Sequence, residues 1–508
     1  MNSTQQHIID KVYLEIDLKD EKKAYWIKDN ISTFLNTDVF PGFEKLFSKW
    51  SDAESISRFE RIDLEIEVDN MDQLADLRFE LEKQLQQKLA FSALEKRYPV
   101  NGEQSFKDRS LNSAVAKGLS PAQNTQAIFM FFLQHGYLPW YGKKSNIDTI
   151  ISEEEWTKRL QQADFIAELK QLLIGDRSAL KRFVLQMPLT NVLQFIAAEK
   201  MTENQQFTSL KEYLLNLDLN NRNQFLSVLV QIFVGYKKSD WKAELLDFMA
   251  NAILENQDSD KSYTDRIIEL AKQLQNISQH TTFEFTQNDS DTILAMLEKQ
   301  SRKNVAEKGV TQKRGKIEND PSIISHGLSF TNEKEPLFFE KDAGEIAVQN
   351  AGQVLFHPFL KTFLQQFQWL DDAGQIREKE RIKAVQALHY CATGSDQFFE
   401  GDLVLEKFLC GVPLKTTLPA TSLLDEIVRT EADNMLRELI KNWPALKNTS
   451  PDGLREMFVS RNGKLIQKDR NFKLIIERKT QDILLEKLQW NISIIKLPWL
   501  NNLIFVEW

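Results

Sequence analysis

Few side chains in this sequence could do chemistry, and their spacing does not suit it. His389 and Cys391 stand two residues apart in HYCATG, and Cys410 follows in LCGVPL. A thiol acts as a nucleophile when it is accessible, has a lowered pKa and has a base within reach. Two positions apart on a helix, histidine and cysteine project to different faces. The two cysteines form no CxxC pair and lie in no histidine-rich segment, so neither a disulfide framework nor a zinc site is indicated; buried, reduced thiols are expected. His357 precedes Pro358. His135 precedes Gly136 at the end of an apolar run, where its ring would meet the last helix carbonyls. Asp63, Glu65 and Glu67 alternate with apolar residues and read as the wet face of a strand, not a cation site. The P-loop, GxGxxG, GxSxG and HExxH patterns are all absent. No catalytic residue, cofactor or metal is therefore assigned, and a nucleophilic Cys391 or Cys410 stays only as the enzymatic alternative.

The remaining candidates are surfaces. Lys464, Lys468, Arg470, Lys473, Arg478 and Lys479 make one segment locally basic. This is either a solvated strand face or a docking site for an acidic partner. Trp443, Trp490, Trp499 and Trp508, with Pro444 and Pro498, read first as core and turn residues, and Trp508 is expected to be buried. An exposed subset would anchor an interface, since tryptophan is enriched in binding hot spots. The candidate partner interface is thus Trp443, Lys464, Lys468, Arg470, Lys473, Trp490, Trp499 and Trp508.

The elements that must carry these residues follow from pattern and composition. The chain has 508 residues, 42% of them hydrophobic, with 33 Phe but only 18 Gly and 13 Pro. Many large apolar residues and few breakers favour packed helices. The fold class expected is α+β, predominantly α-helical. A net charge of −9 opposes non-specific binding to nucleic acid or anionic membrane. The absence of a long apolar run or a signal-like start points to the cytoplasm.

Alternation at Val12, Leu14, Ile16 and Leu18, and again at Ile62, Leu64, Ile66 and Val68, predicts two strands, each followed by a helix. Residues 1–97 are expected to form a βαβα unit. Residues 98–123 are polar and read as a linker or long loop. Residues 124–299 carry amphipathic stretches at the helical period without a sustained heptad, which predicts an irregular helical array. Asp176 and Pro188 mark helix starts and Gly175 a helix end. Residues 300–345 read as a flexible charged linker.

Residues 346–508 are expected to be a helical module closed by a small sheet. Its features are a helix capped by Ser450 with Pro451 in its first turn, a hairpin in GKLIQKDRNFKLIIERK turning at Lys468 to Asn471, and strands in ISIIKL and LIFVEW. A terminus written Leu503, Ile504, Phe505, Val506 and Trp508 calls for pairing, because exposed it would be an aggregation-prone edge.

The blocks NAGQVLFHPFL, LCGVPL, NWPALKNTSPDGLREMFVSRNGKL and ERKTQDILLEKLQWNISIIKLPWL, with a terminal VEW, resemble the contractile injection system tape-measure family of phage-tail-like particles. RFERIDLEIEV and FFLQHGYLPWY echo it nearer the start. The resemblance implies a non-enzymatic protein of particle assembly and tube-length control. Its partners would be tube and baseplate proteins, with no nucleic acid, membrane or small-molecule substrate. It would be cytoplasmic during assembly, with the particle interior as an open later location. At about 1.5 Å per residue, residues 152–345 drawn out as one helix would span roughly 300 Å. Their broken, amphipathic helices instead favour stacking on one another. A soluble helical adaptor or chaperone for cargo or unassembled subunits is the alternative.

Overall fold

The computed structural model describes residues 7–9, 12, 14, 25, 30–50, 56–59, 62–65, 74–97, 117–200, 214–215, 217, 219–235, 238–255, 265–268, 271, 286–297, 345–446, 448–468 and 471–508. The chain is predominantly helical with a small mixed sheet near its C-terminus. It divides into two compact units, Met1–Ile128 and Phe129–Trp508.

In the first unit, α1 (Phe40–Trp50) packs against α2 (Leu74–Arg97). Leu85 and Leu89 are buried, and the Trp50 indole donates to the Leu89 carbonyl at 3.0 Å. Strand β1 (Ile56–Arg58) pairs antiparallel with β2 (Lys117–Leu119), Ile56 opposite Leu119. The paired strand therefore lies just before the alternation at Ile62, whose described part, residues 62–65, is not in a strand. Of the first expected strand only Val12 and Leu14 are described, both exposed and outside any strand. The rest of both segments lies outside the described residues. Three-residue strands such as β1 and β2 are too short for alternation to reveal.

The second unit opens with the end of α3 (Pro121–His135) and continues through α4 (Lys144–Ile151), α5 (Glu153–Leu160), α6 (Ala163–Gly175), α7 (Arg177–Gln186), α8 (Leu189–Lys200), α9 (Leu219–Val234) and α10 (Lys238–Glu255). Local chemistry sets the breaks. Gly136 ends α3 at φ 78°, a left-handed conformation that costs glycine little. Asp176 caps α7, its carboxylate accepting from the amides of Ser178 and Ala179 at 2.8 and 3.1 Å. Trp156 is the hub of the array core. It is fully enclosed, ringed by Phe129, Phe165 and Phe183, and donates to the Asn191 carbonyl at 3.0 Å.

The C-terminal module of this unit contains α11 (His357–Gln366), α12 (Arg381–Thr393), α13 (Val404–Leu409) and α14 (Glu426–Lys441). Its sheet runs β3-β4-β5-β7-β6, with β3 Glu345–Val348, β4 Gly463–Lys468, β5 Asn471–Ile476, β6 Ile494–Ile495 and β7 Ile504–Glu507. The hairpin β4–β5 is antiparallel from Gly463 opposite Ile476 to Lys468 opposite Asn471. The terminal strand β7 lies parallel to β5 and antiparallel to β6.

One sheet face, with Leu465, Phe472, Leu474, Ile476 and Ile504, enters a core shared with the helices and Trp443. Ser450 caps the turn beginning at Pro451 by accepting from the Gly453 amide at 3.1 Å. Gly352 leaves no room for a side chain, because an added Cβ would lie 1.7 Å from the Phe458 carbonyl oxygen. Trp508 is half-buried, not enclosed as its sequence suggested. It follows the last paired residue of β7 and packs against the module's core from its margin, partly exposed.

Candidate interaction surface

Pairing register places Lys464, Lys468 and Lys473 on the outer face of the sheet. One row across the strands reads Glu345, Ile466, Lys473, Phe505 and Ile494; the next reads Ala347, Lys464, Ile475 and Glu507. Lys473 pairs with Glu507, while Lys464 stands 4.0 Å from Glu345. Lys468 is exposed, and Arg470 lies outside the described residues. Among these charges Phe505 is 41% and Ile494 51% exposed. The face is therefore mixed, with apolar patches between ion pairs. LIFVEW and ISIIKL read from sequence as strands without assigned faces, so Phe505 and Ile494 are not singled out there. Alternation from Ile504 would have turned Phe505 outward.

The tryptophans belong elsewhere. Trp443 is fully buried, its indole donating to the Leu484 carbonyl at 3.1 Å, and Trp499 is buried, donating to the Leu409 carbonyl at 2.7 Å. Trp490 is half-buried between Phe359 and Trp443. Trp508 donates to Asp482 Oδ2 at 3.2 Å, and Asp482 Oδ1 accepts from Arg461 at 2.9 Å. The terminal residue is thereby tied to the residue that leads into the hairpin. Of the eight candidates, Lys464, Lys468 and Lys473 share the sheet's outer side, whereas Trp443 and Trp499 lie in the core.

The groups with nucleophilic chemistry are sealed. Cys391 and Cys410 are buried. Burial pushes the Cys391 thiol up to about 12 and the Cys410 thiol up as well. His389 Nε2 donates to the Gln397 carbonyl, 3.2 Å away, and the ring lies 4.0 Å from Glu406; burial lowers its pKa. A buried thiol held protonated is a poor nucleophile. Among the described residues no group of three His, Cys, Asp or Glu is placed to hold a metal ion, and no helix is long and apolar enough to cross a membrane.

The second polar feature is internal. Arg182 on α7 donates to Glu400 Oε1 at 3.1 Å, and Lys407 donates to the same oxygen at 2.8 Å, all three side chains being enclosed. Burial lowers the Lys407 pKa to about 8, against the opposing pull of Glu400. Nothing in the local sequence marks Arg182 as a partner of Glu400, 218 positions away.

Residues 6–508 match the family model described as contractile injection system tape measure protein. No curated protein and no solved structure matches the chain.

Proposed function

Because this chain belongs to the contractile injection system tape measure protein family, we propose that it acts in particle assembly and tube-length control through contacts with tube and baseplate proteins, and without catalysis. The observation that carries this is the extent of the match, which takes in both units and every element of the C-terminal module. The outer face of the sheet supports a role for the C-terminal module as the anchoring end. It presents Lys464, Lys468 and Lys473 beside exposed Phe505 and Ile494, a charged rim around apolar contacts of the kind that protein interfaces use. The sealed thiols support a non-catalytic role. Assembly would take place in the cytoplasm, before the chain enters or leaves the tube.

The test is a strain lacking the chain, compared with the same strain in which it is restored. Negative-stain electron microscopy should show tubes lost or of scattered length without it, and normal tubes when it returns. Identical tube number and length in both strains would contradict the proposal.

A further inference from the structure

Three sets of contacts fasten residues 131–186 to the C-terminal module. Tyr137 is a member of the module's own hydrophobic core, and Phe131 packs against that core. Phe132 meets Phe399 with ring centroids 4.8 Å apart. The second set is the charge triad. Besides Glu400, Arg182 donates to the carbonyls of Leu133 and, at 2.7 Å, Lys415; Lys407 also donates to the Leu414 carbonyl at 3.0 Å. The third set flanks it: Gln186 Nε2 donates to the Leu418 carbonyl at 2.6 Å, and Thr417 Oγ1 donates to the Ser178 carbonyl at 3.4 Å. Gly136 completes the fit, because a Cβ there would lie 2.5 Å from the Arg182 guanidinium and 3.0 Å from Glu400.

A buried ion triad adds little net stability, since desolvation offsets most of its attraction, but it specifies geometry. The seating of α7 satisfies Glu400, Leu133 and Lys415 together through the one guanidinium. The apolar contacts supply the holding force, and they are not separable from the module. Drawing residues 131–137 away would strip Phe131 and Tyr137 from the core that also holds Trp443 and the inner sheet face.

We propose that these contacts form a lock that holds residues 131–186 on the C-terminal module throughout tube assembly, so that these helices work as a folded body and are never drawn out along the tube. The inference rests on the tube-length role above and names the conformation in which that role is performed. Tube length would then not be read residue by residue along this part of the chain.

The test is a covalent lock. Ser178→Cys and Thr417→Cys are introduced together into the full chain, which is then produced with its particle in a host with an oxidising cytoplasm. Non-reducing electrophoresis measures the cross-link, and electron microscopy measures the tubes. Cys391 and Cys410 are buried, and the two single variants show whether either of them joins a cross-link. The lock predicts a cross-link and tubes with the same number and length as those of either single variant. A formed cross-link with absent or altered tubes, while both single variants behave normally, would overturn it. Failure of the underlying role is seen separately: tubes unaltered in a strain without the chain remove that role, and the lock with it.

Discussion

Glu406 is the residue whose placement has the clearest measurable consequence. It lies on α13 with no exposure, and neither carboxyl oxygen has a well-formed hydrogen bond, although Gln353 and Asn350 face it and His389 is 4.0 Å away. Burial pushes its pKa from 4.5 up to about 7. The folded chain thus keeps a proton that the unfolded chain has released, and stability falls as pH rises from about 4.5 through about 7. Asp402 acts with the same sign, raised by burial to about 6. His389 acts oppositely: burial lowers its pKa below 6.5, so its contribution is present above that value and lost as pH falls through the folded one. Glu406→Gln should therefore stabilise the unit by about 3 kcal/mol near pH 8 and change little near pH 5. Guanidinium denaturation at the two pH values checks this. An equal effect at both would contradict it. Sequence alone flagged the neighbours His389 and Cys391 but passed over Glu406, because a glutamate on an amphipathic helix carries no sign of the core that closes over it.

At the scale of elements, β7 has the most to lose. It stands between β5 and β6, so removing residues 503–508 breaks the ladder from Phe472 opposite Ile504 to Ile475 opposite Glu507, strands β6 at an edge without a neighbour, and frees Asp482 from Trp508. Losing Ile504 and exposing the inner sheet face that it covers should cost on the order of 5 kcal/mol and lower the melting temperature sharply. An unchanged melting temperature would contradict this. The damage comes from the lost strand more than from the half-buried Trp508. The hairpin, the terminal strand and the caps at Asp176 and Ser450 were legible in the sequence, because each depends on neighbours within a few residues or on one wet and one buried face. The parallel seating of β7 beside β5 was not, because that pairing joins segments with a whole turn of the module between them. The short β1 and β2 also escaped, being three residues each.

At the scale of the whole molecule, sequence separated the helical array from the C-terminal module by a charged linker, yet the structure joins residues 129–200 and the module in one unit. Amphipathic periodicity shows that a helix has an apolar side, but not which distant surface covers it. The fastening of α7 to residues 399–418 is of that kind. It turns the question of function into one of state: a tape-measure chain can set length by extension or as a folded body. Drawn out as helix, the α9–α10 pair, residues 219–255, would contribute roughly 55 Å at about 1.5 Å per residue. The most direct measurement is tube length by electron microscopy in a strain whose chain lacks residues 219–255. A folded-body mechanism predicts tubes lost or scattered in length, because the deletion removes packing from the array. Tubes uniformly shortened in proportion to the deleted residues would contradict it and show that the array is drawn out.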